Sequence, residues 1–292
     1  MHRDFRRPGT SRLTTRRLHR FQVLWHEVHI DVDDEVAAAQ VALLEQHAHH
    51  TESAVARIAL SVRSTDVGYQ ILDNGDLCAT ASSPEEMLDV LFGRVYRRAT
   101  ELASLKGWVR IHGAVADVGA RRVVVVGAGY AGKTTLSVGL LAEGCRVEVD
   151  ESFVTRDGNV FGVARRLHVK PGTLELLPTA GWLSDAPVFG ELPMRAVDPT
   201  EHGFDWDIGS GPIDALFVLR RTDEPSWVRD ETATQAVQNL MTQVFPVVES
   251  RQTIVRQLSS LAASVPCHAL FAGPDGKAPS LVRNVVGSVS PV

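Results

Sequence analysis

Cysteine is scarce: Cys78, Cys145 and Cys267 are the only three in 292 residues, scattered and with no Cys-x-x-Cys spacing. That excludes a disulfide frame and a zinc site built on paired thiolates, and the thiols read as reduced in a cytosolic protein. No apolar stretch approaches the roughly 18 residues that a membrane span requires. Positive charge is not in excess either. The net charge is −5 and the isoelectric point is near 6.1, so no global basic field points to nucleic acid. Lysine is rarer still: of 30 basic residues only Lys106, Lys133, Lys170 and Lys277 are lysines. What remains is ordinary globular usage, 44% hydrophobic and 22% charged residues, which excludes disorder over the whole chain. A chain of this length can bury a sizeable core as one large domain or two modest ones.

Residues 1–20 stand apart, with seven arginines against a single acid, Asp4, and no apolar segment of the secretory type. They are expected to form a flexible basic arm. From Phe21 the pattern becomes that of a small α+β module, placed at 21–106. Val28, Ile30 and Val32 share one strand face, and Asp33 and Asp34 can cap an alanine-rich helix running to about Gln46. Strands follow around 58–62 and 69–72, and the Asp73-Asn74-Gly75-Asp76 run signals a tight hairpin. A helix starts at Ser83-Pro84, with Glu85 and Glu86 at the positive end of its dipole. Nothing catalytic stands out in this module. His47, His49 and His50 cluster at a helix end without a matching ligand group nearby in the sequence.

The character changes at Gly107. Residues 109–115 read as a strand, and Val123 to Val126 form an unbroken β-branched run, the mark of a strand buried on both faces. Directly after it, residues 127–134 read Gly-Ala-Gly-Tyr-Ala-Gly-Lys-Thr, a full match to G-x-x-x-x-G-K-[ST]. In this motif the glycines let backbone N–H groups wrap a phosphate at φ values other residues resist. The backbone of Gly127, Ala128, Gly129, Tyr130, Ala131 and Gly132 is expected to form that cradle. Lys133 is expected to reach the β- and γ-phosphates and Thr134 to place its hydroxyl on Mg²⁺, with Thr135 beside it at the start of an anion-binding helix. The next strand ends in Asp150-Glu151. Alternation along a strand would send the two acids to opposite faces, one toward the metal and one toward an incoming substrate.

Two rival classes fail on the letters. A GTPase reads guanine with N/T-K-x-D, and none of the four lysines sits in such a motif. A transporter-type ATPase carries its Asp-Glu much further from the glycine loop, after an LSGGQ-type signature that is absent here.

The stretch from Ile111 to Val154 resembles the core of the HPr kinase family. It has His112-Gly113 on the strand before the loop, the loop itself, and the acidic pair Asp150-Glu151 on the following strand. The next stretch, with an Asp157-Gly158-Asn159 hairpin and then Ala-Arg-Arg-Leu-His-Val-Lys-Pro-Gly, resembles HPr kinase-like proteins of peptide-modifying biosynthetic clusters, including lasso-peptide kinases. The resemblance covers roughly residues 108–172. It implies an α/β fold: an HPr kinase or phosphoenolpyruvate carboxykinase-like P-loop core over 107–292, with the smaller N-terminal α+β module before it. It further implies a cytoplasmic ATP- and Mg²⁺-dependent kinase acting on a hydroxyl. Asp150 would be the base or orienting group, Glu151 a magnesium ligand, and His112 a neighbour of the transferred phosphate. Two features depart from the family. Glu151 stands where aspartate is usual, and the C-terminal Glu-Ile-Arg-Gly signature of authentic HPr kinases is missing.

Phosphoryl transfer needs further cations beside the phosphates. Arg165, Arg166 and Lys170 are the candidates, against the alternative that they solvate a strand end. Residues 174–213, rich in proline, glycine and tryptophan, are candidates for a substrate-facing lobe, with Trp182, Phe204 and Trp206 expected in the core rather than in a peptide groove. The expected acceptor is a serine or threonine of a peptide or protein, with a small hydroxylated metabolite second and a non-catalytic ATP-binding switch as the competing class. No nucleic-acid or membrane partner is expected, and self-association stays open.

Overall fold

The computed structural model describes residues 16–45, 56–104, 107–163, 165–192, 194–245 and 250–288. The histidine cluster at 47–50 and the first fifteen residues lie outside them.

The N-terminal half-sheet is built by alternation. β1 (Arg17–Val23) and β2 (His26–Val32) pair antiparallel over seven residues. Val28, Ile30 and Val32 are buried on one face of β2, as the alternation requires. β1 begins inside the stretch expected to be a free arm. Its His19, Phe21 and Val23 face the core while Arg17 and Arg20 face solvent, so the arginines charge an edge strand rather than a loose tail. α1 (Glu35–Ala42) is capped by Asp34, whose carboxylate accepts from Ala37 N at 2.8 Å. It ends earlier than the expected Gln46 and leads to β3 (Ala56–Thr65), parallel to β2. β4 (Gly68–Asp73) and β5 (Asp76–Ala81) complete a five-stranded sheet in the order β1-β2-β3-β4-β5. The hairpin between them carries Asn74 at φ 53° and Gly75 at φ 96°, the conformation that a two-residue Asn-Gly turn supplies. α2 (Pro84–Ser104) starts at its proline. There Ser83 Oγ accepts from Glu86 N, and the Glu86 carboxylate accepts from Ser82 N.

The second unit is a mixed sheet of nine strands. β6 (Val109–Val118) and β7 (Arg121–Val126) form a hairpin, and α3 (Lys133–Ala142) follows the glycine loop. β8 (Arg146–Val149), β9 (Ser152–Arg156) and β10 (Asn159–Gly162) come next. The turn between β9 and β10 holds Asp157 and Gly158 at positive φ, as expected of Asp-Gly. β11 (Leu167–Val169), α4 (Gly172–Leu176), β12 (Val188–Phe189) and β13 (Met194–Val197) then form a side lobe with its own three-stranded sheet, β11-β13-β12. The chain returns through β14 (Ser210–Gly211), β15 (Ala215–Arg221), β16 (Trp227–Glu231), α5 (Ala233–Met241), α6 (Arg251–Ala263), β17 (Cys267–Ala272) and α7 (Ala278–Ser288). The large sheet runs β14-β10-β9-β6-β7-β15-β17-β16, with β8 also paired to β6.

β7, β15 and β17 are parallel neighbours. α3 and α7 cover one face of the sheet, α5 and α6 the other. Val123 to Val126 are all buried between these layers. Each such valine contributes about 1.5–3 kcal/mol relative to an exposed one. Because the three strands are parallel, the loops after them open at one edge of the sheet, the place where open α/β sheets hold ligands.

Candidate functional site

At that edge lies a cleft of about 710 Å³, within the range of sites for small ligands. Residues 129–134 of the glycine loop line it. Gly132 is the N-cap of α3 at φ 100°, a conformation that glycine adopts without a Cβ clash. Contrary to the expectation from the motif, only Gly132 of the three loop glycines holds a positive φ. Gly127 is required by space, since a Cβ there would stand 2.6 Å from the Leu219 carbonyl oxygen. Gly129 meets nothing, and the second left-handed residue is Tyr130, exposed and at φ 64°.

Lys133 is buried at the start of α3, and its ammonium donates to the carbonyls of Gly127 at 2.8 Å and Ala128 at 3.1 Å. Burial lowers its pKa, against the pull of Glu151 and Asp150. Thr134 Oγ1 donates to Asp150 Oδ2 at 2.8 Å. Thr135 shares a hydrogen bond with Thr173 of α4.

The acid pair is placed by sheet register. β8 and β9 both run antiparallel to β6, with Val115 opposite Val149 and His112 opposite Ser152. Asp150 and Glu151 are therefore the two residues where that line of pairing opens into a bend, across from Gly113-Ala114, with Gly113 N donating to the Glu151 carbonyl at 3.0 Å. The close approach explains the glycine: a Cβ on residue 113 would stand 2.8 Å from both the Phe153 ring and the Val125 carbonyl oxygen.

Lying in a bend, the two acids do not diverge to opposite faces as strand alternation suggested. Arg165, itself buried, binds both of them, with Nη2 2.9 Å from Glu151 Oε2 and 3.5 Å from Asp150 Oδ1. Their environments differ nonetheless. Burial raises the Asp150 pKa, with Arg165 only partly opposing it. Burial also pushes Glu151 up, but Arg165, His112, Arg110 and Lys133 together outweigh it and leave its carboxyl lowered. Two adjacent carboxyls with opposite shifts are suited to different tasks.

His112 Nδ1 stands 2.8 Å from the Glu151 carbonyl and 3.5 Å from its carboxylate Oε1. A carbonyl only accepts, so Nδ1 carries the proton and Nε2 holds the lone pair in the neutral ring. Burial favours that neutral form, lowering the histidine pKa despite Glu151. Behind the pair, Arg110 donates to Ser152 Oγ and to Thr100 of α2, and burial pushes its pKa down to about 10.

Gly129 to Thr135, His112, Asp150, Glu151, Arg165 and Lys170 all line this one cleft. Gly127 and Ala128 instead line a second recess of about 350 Å³ behind the loop, bounded by Arg220 and by Asn239 of α5. Lys170 is exposed and lies 3.7 Å over the Tyr130 ring. Arg166 is not brought to the site; it pairs with Glu201. Trp206, from the segment expected to face a substrate, is buried and donates to the Glu148 carbonyl.

The reading of the sequence missed Phe92, His168, Leu192 and Met194, which also line the cleft; the Phe92 ring lies against the Arg165 that holds the acids. Phe92 follows Leu88 by four residues on α2 and so carries only the signal of a core position. A magnesium ion is compatible with the donors present. Thr134 and Asp150 offer hard oxygens, and Mg²⁺ commonly takes one or two protein carboxylates with the rest from phosphate and water. Among the described residues there is no group of three or more His, Cys, Asp or Glu side chains that could hold a metal by itself, and no helix is long and apolar enough to cross a membrane.

No family model and no curated protein matches the chain. Among solved structures it is similar to an Hpr(Ser) kinase/phosphatase from Coxiella burnetii, at 12% identity and a TM-score of 0.31, over 60% of this chain and 95% of that one. A likeness this distant shows neither the family nor the activity of this chain.

Proposed function

We propose that this protein is an ATP- and Mg²⁺-dependent phosphotransferase acting on a hydroxyl group, with a serine or threonine of a peptide as acceptor. The observation that carries the reading is the convergence of three chemistries in one cleft: a lysine-bearing loop at a helix start, a hydroxyl–carboxylate pair, and a second carboxylate beside a neutral histidine.

Each part has a task in phosphoryl transfer, which is largely positioning and charge stabilisation. The 129–134 backbone and the N-terminus of α3 face the phosphates, and Lys133 exchanges its two carbonyl partners for phosphate oxygens. The hydrogen bond between Thr134 and Asp150 supports these two as the magnesium holders. Bound there, the ion would neutralise charge building up on the β- and γ-phosphates. Glu151, held ionised by Arg165 and next to His112, is then the group that accepts and orients the acceptor hydroxyl. This reverses the division implied by the family resemblance. Arg165, itself buried, keeps both carboxylates in place.

Calorimetric titration with Mg-ATP tests the first step. Wild type should bind ATP at least as tightly as GTP, since no guanine-reading motif is present, and Lys133→Ala should abolish binding with an unchanged circular dichroism spectrum. Unaltered affinity in that variant would remove the basis of the proposal.

A further inference from the structure

The N-terminal module is not set apart from the cleft. One hydrophobic cluster joins Met87, Leu91 and Val95 of α2 to Val154, Phe161 and Phe189 of the second unit. Asp89 of α2 accepts from the backbone N–H of Glu191, in the turn between β12 and β13. From the same helix Phe92 enters the lining of the cleft. Its ring centre is 5.4 Å from that of His168 and 5.7 Å, edge-on, from that of Phe189. The Arg165 guanidinium, which holds both acids, lies 5.5 Å over the Phe92 ring, within the range of a cation–π contact.

The groups packed around Phe92 are largely apolar or aromatic. Met194 and the exposed Leu192 line the cleft from the β12–β13 turn. His168 is buried against the Phe189 ring at 4.0 Å. Arg165 holds Asp150 and Glu151 through Nη2, while its buried Nε has no hydrogen-bond partner among the described residues. An anionic group on the acceptor would face those two carboxylates with their cation already paired. A cationic group would compete with Arg165 for the face of Phe92. An uncharged, apolar group meets neither obstacle and covers Phe92, Leu192 and Met194.

Resting on the phosphotransferase reading above, we propose that α2 of the N-terminal module builds the acceptor wall. Phe92, with His168, Leu192 and Met194, receives the apolar residue adjoining the acceptor serine or threonine of a peptide. Phe92 is a specificity residue in this arrangement, and the N-terminal module is an integral part of the site.

The test is binding to the full chain saturated with Mg²⁺ and a non-hydrolysable ATP analogue. Three nonapeptides with one central serine are compared, flanked by leucine, by aspartate or by lysine. The leucine peptide should bind at least tenfold tighter than either charged one. Burial of one aromatic side chain sets the size of the loss in Phe92→Ala, about ten- to hundredfold for the leucine peptide. Phe92→Leu, which keeps apolar bulk, should recover most of it. Leu192→Asp, at an exposed position that does not endanger folding, should weaken the leucine peptide at least tenfold. Equal binding of the three peptides, preference for a charged one, no binding of the leucine peptide, or no effect of Leu192→Asp overturns the proposal. Affinity for the analogue without peptide is read separately. Its loss refutes the nucleotide reading, whereas intact analogue binding without apolar selectivity refutes only the acceptor wall.

Discussion

Replacing Arg165 by methionine removes a side chain that bonds both members of the acid pair. Methionine retains the apolar stem, so the change is mainly one of charge. Asp150 is fully buried on its side chain and Arg165 is 5% exposed, while Glu151 is 34% exposed. Breaking a buried pair by deleting one partner costs about 3–5 kcal/mol, because the remaining charge stays desolvated and unpaired. Glu151 recovers part of its share from water, which places the expected loss near the lower end, about 3 kcal/mol. Magnesium should return some of this by supplying positive charge beside Asp150. Arg165→Lys keeps the charge but is one bond shorter, so its ammonium falls short of the Nη2 position from which both carboxylates are held, and an intermediate loss is expected. Urea denaturation near pH 7.5, with and without MgCl₂, measures all three. A loss under about 1 kcal/mol for Arg165→Met would refute the claim that this arginine organises the site.

Two further outcomes follow from the same geometry. Glu151→Gln should cut phosphoryl transfer by about 100- to 10,000-fold, the usual range for a group accepting a proton, with Mg-ATP affinity within about twofold; Asp150→Asn should instead raise the magnesium concentration needed for nucleotide binding, and identical behaviour of the two variants would sink the division of roles. Burial, seconded by Arg165, holds the His168 pKa well below that of a free histidine, so below about pH 6.5 the unfolded chain takes up a proton that the folded chain refuses. Stability should therefore be flat above that pH and fall as pH drops, by up to about 1.4 kcal/mol per unit until the folded-state pKa is reached; denaturation at pH 5.5, 6.5 and 7.5 reads the slope, and His168→Phe should remove most of it.

What was legible in the sequence was local. The alternation of Val28, Ile30 and Val32, the Asn74-Gly75 turn, Pro84 at a helix start and the valine run before the loop each declare themselves through backbone preference or burial pattern. The loop lysine, Thr134 and the acid pair were legible because their spacing is tied to one strand–loop–helix unit. The orientation of the acids was not. It depends on β8 and β9 sharing β6 as a common partner, so that residues 150 and 151 leave the strand together. The part played by Arg165 depends on the chain returning through β10, and that of Phe92 on the docking of a helix more than sixty residues away. Neither leaves a periodic trace. Residues 17–20 misled for the opposite reason: Arg17 and Arg20 stand exposed beside the buried His19 and Phe21, and charge obscured the edge strand.

Incubation of the full chain with Mg²⁺ and γ-labelled ATP in the presence of the leucine-flanked serine peptide tests the central claim most directly. The account predicts label on the serine hydroxyl, dependent on magnesium, absent in Lys133→Ala and reduced at least 100-fold in Glu151→Gln. Tight Mg-ATP binding with the γ-phosphate retained on the nucleotide, or released only to water, would contradict it and make the cleft that of a nucleotide-operated switch.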